Sequence, residues 1–243
     1  MGSSLSICSI CQDEAEVIGW MLECCVHTYE ILGDRLHEVV IVDGGSMDKT
    51  VDIIKSYQDK LPLVLIEHPF DTFGAQKNRA LEKSTGDYIW GVDTDMTWTT
   101  NFPTVFKGGY YETADMWDFR MLFTADDGNH YFKWPLGVNM RLWKRGFKFV
   151  TGFHEKLDGQ LNRGGLPVCT HVWIFENSFR QSNAALWNRG IRYQKFTEQM
   201  AAAGCSPGSA DRYVNAKNSP PDQKGDIPDN IKRMVLPITV NPL

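Results

Sequence analysis

The sequence contains no long apolar run. Nowhere in its 243 residues does a hydrophobic stretch approach the length that a membrane-spanning helix needs, which is roughly 20 residues. The amino terminus also lacks a basic start followed by an apolar core, the pattern of a secretory signal. From these two absences we expect no transmembrane segment and a cytoplasmic location.

Runs of lysine or arginine are absent as well. The net charge is −5, from 25 Lys and Arg against 30 Asp and Glu, which argues against electrostatic capture of nucleic acid. A hydrophobic content of 42% and a charged content of 23% are ordinary for a globular protein. The length suits one large α/β domain, and the composition predicts no nucleic-acid-binding patch.

Cysteine pairs with metal-ligand spacing are scarce. Cys8-x-x-Cys11 is such a pair, but no second pair follows it. Both residues lie on or at the end of the first predicted strand, where a thiol packs as a small apolar group. We therefore expect reduced, buried thiols and no zinc site.

The two common glycine-rich phosphate loops are missing. A Gly-x-Gly-x-x-Gly motif does not follow the first predicted strand, and Gly-Lys-Ser/Thr occurs nowhere in the sequence. These absences argue against a dinucleotide dehydrogenase and against a P-loop enzyme.

The first half of the sequence alternates between strand and helix patterns. Apolar runs at 5–10, 38–42, 63–66 and 86–92 predict buried strands. Helical periodicity follows Asp13, follows Ser46 as a candidate N-cap, and covers 75–83. This pattern predicts an α/β fold with a mostly parallel central sheet, flanked by helices, that binds a nucleotide at its carboxyl edge.

Acidic and small polar residues follow three of these strands. Asp93-Thr94-Asp95 comes directly after the fourth strand, Ser9 and Asp13 lie at the end of the first, and Asp43 ends the second. Two carboxylates at a strand end suit Mg²⁺ or Mn²⁺, which commonly hold a diphosphate. The other groups can contact a base or a ribose. The alternatives are a solvated acidic turn for Asp93-Thr94-Asp95 and a turn residue that caps the next helix for Asp43.

The order of these segments resembles the donor half of a family 2 glycosyltransferase. The resemblance covers about residues 5–96 and is carried by Gln12-Asp13-Glu14 and by the stretches 41–50, 74–80, 85–88 and 93–95. It implies a GT-A fold, a nucleotide-sugar donor (a UDP-sugar first) and a Mn²⁺ or Mg²⁺ cofactor. Two positions depart from the family pattern, since Gln12-Asp13 replaces the usual Asn-Glu and Gly44 replaces a second acid.

The resemblance also implies roles for residues on the donor side. Asp95 would bind the metal directly, and Asp93 would contact the ribose or, through water, the metal. Thr94 would join the nucleotide-sugar contacts, and Lys77 would meet the diphosphate as a point charge, unless it is a surface lysine. His171 is a further metal-ligand candidate, with an ordinary strand histidine as the alternative.

Beyond residue 96 the pattern changes to an acceptor half with its own smaller sheet region. Strands are predicted at 115–123, 130–143 and 166–175, and a helix at 184–203. The stretch Gly152-Phe153-His154-Glu155-Lys156-Leu157 resembles the catalytic loop of family 2 enzymes. The resemblance implies that Glu155 is the general base for an acceptor hydroxyl, with in-line attack that inverts the anomeric carbon. An exposed loop acid is the alternative.

We expect a single glycosyltransferase domain over 1–203, with a donor half at 5–96 and an acceptor half at 97–203. Residues 204–243 are rich in Pro, Asn, Asp and Gly and predict an extended tail or lid. Two other functions stay open. A non-catalytic nucleotide-sugar or glycan-binding module would tolerate loss of Glu155. A sugar nucleotidyltransferase should carry a Gly-rich, Arg-containing loop where this sequence has Ser9-Ile10-Cys11-Gln12.

Overall fold

Strands and helices alternate along the first half of the chain and give way to longer strands in the second. The computed structural model describes residues 2–125, 128–132, 137–150, 157–158, 166–177, 180–201 and 224–235. The strands are β1 (Leu5–Cys11), β2 (Leu36–Asp43), β3 (Leu63–Glu67), β4 (Tyr88–Gly91), β5 (Met96–Trp98), β6 (Met116–Phe123), β7 (His130–Phe132), β8 (Gly137–Lys144), β9 (Val168–Glu176) and β10 (Lys224–Asp226). The helices are α1 (Ile18–Leu32), α2 (Thr50–Lys55), α3 (Phe73–Lys83), α4 (Phe102–Lys107), α5 (Asn183–Ala201) and α6 (Asp229–Lys232).

Eight of the strands form one sheet in the order β3-β2-β1-β4-β8-β6-β9-β5. Strands β3, β2, β1 and β4 are parallel neighbours, so their carboxyl ends meet at one edge. Strand β8 is antiparallel to both β4 and β6, β9 is parallel to β6, and β5 is antiparallel to β9. The predicted α/β sheet is confirmed, and β7 and β10 form a separate two-stranded ribbon.

The parallel strands are buried on both faces. Val39 and Ile41 of β2 belong to the core that contains α1, whereas Val40 and Val42 pack on the opposite face with Ala80 of α3. A continuous apolar run suits such a strand because each face is covered by helices. The burial holds the carboxyl edge of the sheet in place.

An aromatic cluster supports the end of β4. Trp90 stacks on Phe102 with ring centroids 4.2 Å apart, and Phe119 meets it edge-on at 4.7 Å. Gly91 lies against the Trp143 ring so closely that an added Cβ would come within 2.1 Å of it. Only glycine permits this approach. The packing fixes the strand end from which Asp93 and Asp95 follow.

Two predicted helix starts are corrected by the structure. Helix α1 begins at Ile18 and not at Asp13, because the residues between them form the turn at the carboxyl end of β1. Helix α2 begins at Thr50, so Ser46 is not its N-cap. The Thr50 N–H instead donates to Asp48 Oδ1 at 2.9 Å.

The strand predicted over 130–143 is two strands in the structure. Strand β7 ends at Phe132 and β8 begins at Gly137. The two belong to different sheets, because β7 pairs with β10 and β8 with β4 and β6.

Part of the predicted tail packs on the domain. Strand β10 pairs with β7, and Ile227 and Ile231 are buried with Leu122 and Phe175. Residues 204–223 and 236–243 lie outside the described residues. None of the helices in the described ranges is long and apolar enough to cross a membrane.

The thiol prediction is confirmed for the described cysteines. Cys8, Cys11, Cys24, Cys25 and Cys169 are buried and free. Burial raises the pKa of Cys8 to about 12 and that of Cys24 likewise to about 12, so these thiols stay protonated at neutral pH. Cys205 lies outside the described residues.

Candidate active site

Asp93 lies beyond the end of β4 between two cations. Its Oδ1 is 3.3 Å from Lys77 Nζ of α3, and its Oδ2 is 3.1 Å from Arg141 Nη2 of β8. Burial acts to raise the pKa of Asp93, but Lys77 and Arg141 outweigh it and hold the pKa well below its ordinary value. Asp93 is therefore ionised at neutral pH, and its side chain is still 35% exposed.

Asp95 is buried and uses one carboxylate oxygen. Its Oδ2 lies 2.8 Å from Arg189 Nη1 of α5. Within the described part of the chain, Oδ1 is buried and has no hydrogen-bond partner. The Asp95 carbonyl oxygen accepts from both the backbone N–H and the Nδ2 of Asn177, at 2.8 and 3.1 Å. Because an unpaired buried oxygen costs free energy, this held side chain indicates a place for a ligand or a cation.

Arg189 bridges Asp95 to a second buried acid, Glu14. Arg189 Nη2 is 3.1 Å from Glu14 Oε1, and Gln181 Nε2 donates to Glu14 Oε2 at 3.0 Å. The Glu14 N–H donates to Thr50 Oγ1 at 2.8 Å. Burial raises the pKa of Glu14 to about 7, against the opposing effect of Arg189.

Asp13 is held in a left-handed backbone conformation with φ 53°. Its N–H donates to Ser46 Oγ at 2.9 Å, and its Oδ1 accepts from the Met47 N–H at 2.7 Å. Its Oδ2 accepts from Arg192 Nη1 at 3.1 Å. Non-glycine residues rarely adopt this conformation, and Asp is among those that tolerate it. Both carboxylate oxygens of Asp13 thus already have protein donors.

Asp43 is also engaged by its own loop. It is 2% exposed, and its Oδ2 accepts from the N–H groups of Gly45 and Ser46 at 2.9 and 3.0 Å. Ser46 Oγ donates to Oδ1 at 2.5 Å. Gly45 has φ 91°, a left-handed value that turns its N–H back towards the carboxylate. These contacts fit the alternative that Asp43 is a turn residue. Its carboxylate binds N–H groups of its own loop, however, and does not cap helix α2. Its nucleotide contact stays a prediction.

Ser9 and Thr94 are buried at the same edge. Ser9 is 3% exposed and Thr94 is 2% exposed. Within the described residues, the Ser9 hydroxyl is buried without a hydrogen-bond partner. The structure thus places Ser9 and Thr94 near the predicted nucleotide crevice, and their roles stay predictions.

The structure does not bring His171 together with Asp95. His171 is near the start of β9, where its exposed ring packs edge-on against Tyr110 at 5.6 Å. Asp95 instead contacts Asn177, just past the opposite end of β9. These two positions are six residues apart along an extended strand, about 20 Å. The expectation that His171 helps to bind an ion at Asp95 is therefore corrected.

Glu155 and His154 lie outside the described residues, but the positions that flank them are anchored. Phe149 and Leu157 pair in an isolated antiparallel bridge. Asn78 of α3 accepts from the Phe149 N–H at 2.8 Å and donates to its carbonyl at 3.0 Å. Lys77 Nζ, which reaches Asp93, also lies 5.6 Å from the centre of the Phe149 ring. Phe149, six residues before Glu155 in the sequence, thus lies beside the lysine that pairs with Asp93.

The metal ligands available at Asp95 suit a cation that is bound jointly by the protein and by another molecule. Among the described residues, no three Asp, Glu, His or Cys side chains come together to hold a metal. Asp95 Oδ1 offers one hard oxygen ligand, which Mg²⁺ and Mn²⁺ accept. Mg²⁺ is commonly held by one or two carboxylates together with phosphate oxygens and water. The residues present therefore fit a cation that a diphosphate helps to bind.

Sequence reasoning missed Arg189, Glu14 and Arg141. For Arg189 a usable sequence signal exists, because the apolar residue Leu186 lies three residues before it within the predicted helix at 184–203. Residues three and four apart share a helix face. An arginine on the inward face of a helix indicates a buried anionic partner.

A comparison with known families identifies the chain. The model of the family described as glycosyl transferase family 2 matches residues 6–154, which is more than half of the chain. The chain belongs to this family. The matched residues include Asp13, Asp43, Asp93 and Asp95.

Two bacterial glycosyltransferases are similar to part of the chain. The lipopolysaccharide core biosynthesis glycosyltransferase LpsC of Rhizobium meliloti is 33% identical over 92 residues, which is 37% of this chain and 31% of LpsC. YibD of Escherichia coli K12, a glycosyltransferase by name, is 35% identical over 72 residues, 29% of this chain and 20% of YibD. The matches span less than a third of these relatives.

Solved structures share the fold at low identity. Staphylococcus aureus TarS (residues 1–349), solved with UDP-GlcNAc, has a TM-score of 0.54 and 15% identity over 78% of this chain and 66% of its own. The mannosyltransferase PcManGT of Pyrobaculum calidifontis, solved with GDP-Man and Mn²⁺, has a TM-score of 0.54 and 17% identity over 90% of this chain and 69% of its own. These likenesses establish the GT-A fold of this family 2 member.

Proposed function

We propose that this family 2 glycosyltransferase moves a sugar from a nucleoside-diphosphate sugar to an acceptor hydroxyl, with a divalent cation and with inversion at the anomeric carbon. The observation that carries the proposal is the Oδ1 of Asp95, which is buried and has no hydrogen-bond partner among the described residues. It lies at the carboxyl edge of a parallel sheet, where such folds bind nucleotides. A UDP-sugar is the first donor to test, because TarS is seen with UDP-GlcNAc, and a GDP-sugar is the second, because PcManGT is seen with GDP-Man.

The donor diphosphate would lie between Asp95 and the cations around Asp93. A bound Mg²⁺ or Mn²⁺ would offset the charge that develops on the departing diphosphate. Lys77 and Arg141 already meet at Asp93 and can attract phosphate oxygens. Ser9, Asp13, Asp43 and Thr94 are the candidates for contacts with the base and ribose.

The acceptor hydroxyl would be activated by Glu155. An alcohol is a weak nucleophile at neutral pH, and a carboxylate within hydrogen-bond reach removes its proton as the bond to the sugar forms. Asn78 holds Phe149 and so anchors the chain six residues before Glu155. Attack opposite to the leaving diphosphate inverts the anomeric carbon.

The proposed domain covers 1–203, with 224–235 packed on its second half. The sugar and the acceptor are proposed only as chemical classes, a nucleotide-linked sugar and a hydroxyl group. The activity of any longer protein that contains this chain is likewise a proposal. The cytoplasmic location expected from the sequence stays a prediction.

The test is a screen of UDP- and GDP-sugars with Mn²⁺, in which calorimetric binding and slow donor hydrolysis, the transfer of the sugar to water, are measured. We expect one donor to bind and hydrolyse. Asp95→Asn should lose metal-dependent donor binding. Glu155→Gln should bind the donor as wild type does and transfer about 10²–10⁴-fold more slowly.

Asp71→Asn is the matched control, because Asp71 pairs with Arg79 in an ion pair that involves neither Asp93 nor Asp95. Folded protein that neither binds nor hydrolyses any donor would refute the proposal. Tight binding without turnover would favour a non-catalytic binding module. Normal transfer by Glu155→Gln would show that the base is another group.

A further inference from the structure

Arg189 shares one carboxylate with the candidate cation site. The guanidinium holds Asp95 Oδ2 at 2.8 Å, and the other oxygen of the same carboxylate is buried and, within the described residues, unpartnered. A cation on Oδ1 and the guanidinium on Oδ2 would therefore be near neighbours. Both are positive, so each weakens the attraction of Asp95 for the other.

Asp95, Glu14 and Arg189, the described groups that ion pairs link at this point, do not balance in charge. Asp95 and Glu14 are each 5% exposed, and Arg189 is the cation that contacts both, at 2.8 and 3.1 Å. Two carboxylates and one guanidinium leave a single net negative charge when all three are ionised. That charge is small for a site that must take up a divalent cation out of water. A diphosphate would supply the missing negative charge.

We propose that Arg189 is a positioning residue that makes cation binding at Asp95 depend on the donor. The guanidinium fixes Asp95 through Oδ2 and keeps the empty site from binding Mn²⁺ tightly. When the diphosphate arrives, its charge offsets Arg189 and favours the cation on Oδ1. This inference rests on the proposed function, because it assumes a donor diphosphate and a cation at this edge.

Arg192 provides a control on the same helix. It pairs with Asp13 Oδ2 at 3.1 Å and donates to the Gln12 carbonyl at 3.0 Å. Like Arg189, it ties α5 to the loop after β1, and its ion pair is with Asp13 and not with Asp95. Arg192→Gln therefore removes an equal charge and weakens the docking of α5 while the contact between Arg189 and Asp95 stays in place, so it reports those two effects on the binding of Mn²⁺ alone.

The experiment measures Mn²⁺ binding from the electron paramagnetic resonance signal of free Mn²⁺, at about pH 8, with and without UDP or GDP. For wild type we expect weak binding alone and an affinity about 5- to 150-fold higher with one nucleotide, the usual range for coupled sites. Arg189→Gln should raise the affinity for Mn²⁺ alone at least about tenfold and reduce the effect of the nucleotide. Glu14→Gln should change the affinity in the opposite direction.

The double variant Glu14→Gln/Arg189→Gln keeps the net charge of the wild-type trio. We expect its affinity for Mn²⁺ alone to return to within about threefold of wild type. The double variant also leaves no Glu14 carboxylate without its arginine. If Arg189→Gln alone does not fold, the effect of Arg189 on the affinity for Mn²⁺ is obtained by comparing the double variant with Glu14→Gln. Circular dichroism and thermal melting establish which variants are folded.

Three outcomes would overturn the inference. The first is that Arg189→Gln and the double variant bind Mn²⁺ no better than their parents. The second is that Arg192→Gln raises the affinity as much as Arg189→Gln does. The third is that folded wild type binds no Mn²⁺ even with UDP or GDP, and this outcome alone also refutes the proposed function.

Discussion

The two acidic side chains that follow β4 are paired with cations. Asp93 has Lys77 and Arg141, and Asp95 shares Arg189 with Glu14. Under the proposed function, an anionic donor would compete with carboxylates for guanidinium and ammonium groups. This competition would favour a donor that enters together with a divalent cation, because the cation could bind the carboxylate that a phosphate frees.

The ionised form of Asp93 should stabilise the folded protein. Burial opposes ionisation, but Lys77 and Arg141 reverse that effect and lower the pKa of Asp93. A carboxyl whose folded pKa lies below its unfolded value contributes stability above the unfolded pKa, and this is lost as the pH falls through the folded pKa. Since the side chain is 35% exposed, solvent screening limits the contribution to about 1 kcal/mol.

Asp93→Asn should accordingly lower the free energy of unfolding by about 1 kcal/mol at pH 7. Urea titrations should show the difference from wild type shrinking below about pH 4. The variant should also weaken donor binding. Asp71→Asn is the control, because Arg79 likewise lowers the pKa of Asp71, and it should affect stability alone. Donor affinity unchanged in Asp93→Asn would remove Asp93 from the binding site.

Among the elements, the parallel half of the sheet could be predicted from the sequence. The packing of α5 against the carboxyl edge of that sheet could not. Strands β1 to β4 are short apolar runs with turn residues after them, so local pattern suffices. The contact between Arg189 and Asp95 joins residues on α5 and beyond β4, and no local pattern encodes which strand end a distant helix will cover. The same limit applies to β6 and β9, which are parallel neighbours although β7 and β8 lie between them in sequence. The strand that carries His171 was predicted, but its position in the sheet relative to Asp95 was not.

Helix α5 begins with a cap that also fastens it to the rest of the domain. Ser182 Oγ accepts from the Ala185 N–H at 3.1 Å and donates to Glu16 Oε1 at 2.7 Å. The Ser182 N–H donates to Glu16 Oε2 at 2.6 Å. The residue that starts the helix thus places its first turn beside the loop that carries Glu14, and Arg189 follows two turns later.

Ser182→Ala should lower the free energy of unfolding by about 1 kcal/mol, the usual cost of losing an N-cap hydroxyl. Amide hydrogen exchange should become faster in the first turns of α5. Without the cap hydrogen bond, local unfolding of these turns costs less free energy. Ser182→Thr keeps the hydroxyl and should behave like wild type. Equal exchange in Ser182→Ala and wild type would mean that α5 is held by its other contacts alone.

At the scale of the whole molecule, the segment 224–235 packs against β6 and β9, which belong to the half of the sheet that does not contain the parallel strands β1 to β4. Ile231 is 4% exposed and packs with Ile227, Leu122 and Phe175. Phe175 lies on β9, two residues before Asn177, which holds the Asp95 backbone. Packing of this segment is therefore linked through one strand to the candidate metal ligand.

Ile231→Ala should lower the free energy of unfolding by about 2–5 kcal/mol, because it removes buried carbon atoms and leaves a cavity. Urea unfolding followed by tryptophan fluorescence and by circular dichroism should still give one coincident transition if the segment folds with the domain. Met47→Ala is the control, since Met47 is 92% exposed and its change should stay within about 0.5 kcal/mol. If the segment folds independently, Ile231→Ala will leave the main transition unchanged. In that case the packing of Ile231 on Phe175 would not be coupled to Asp95. Donor affinity would then be the same in the variant as in wild type.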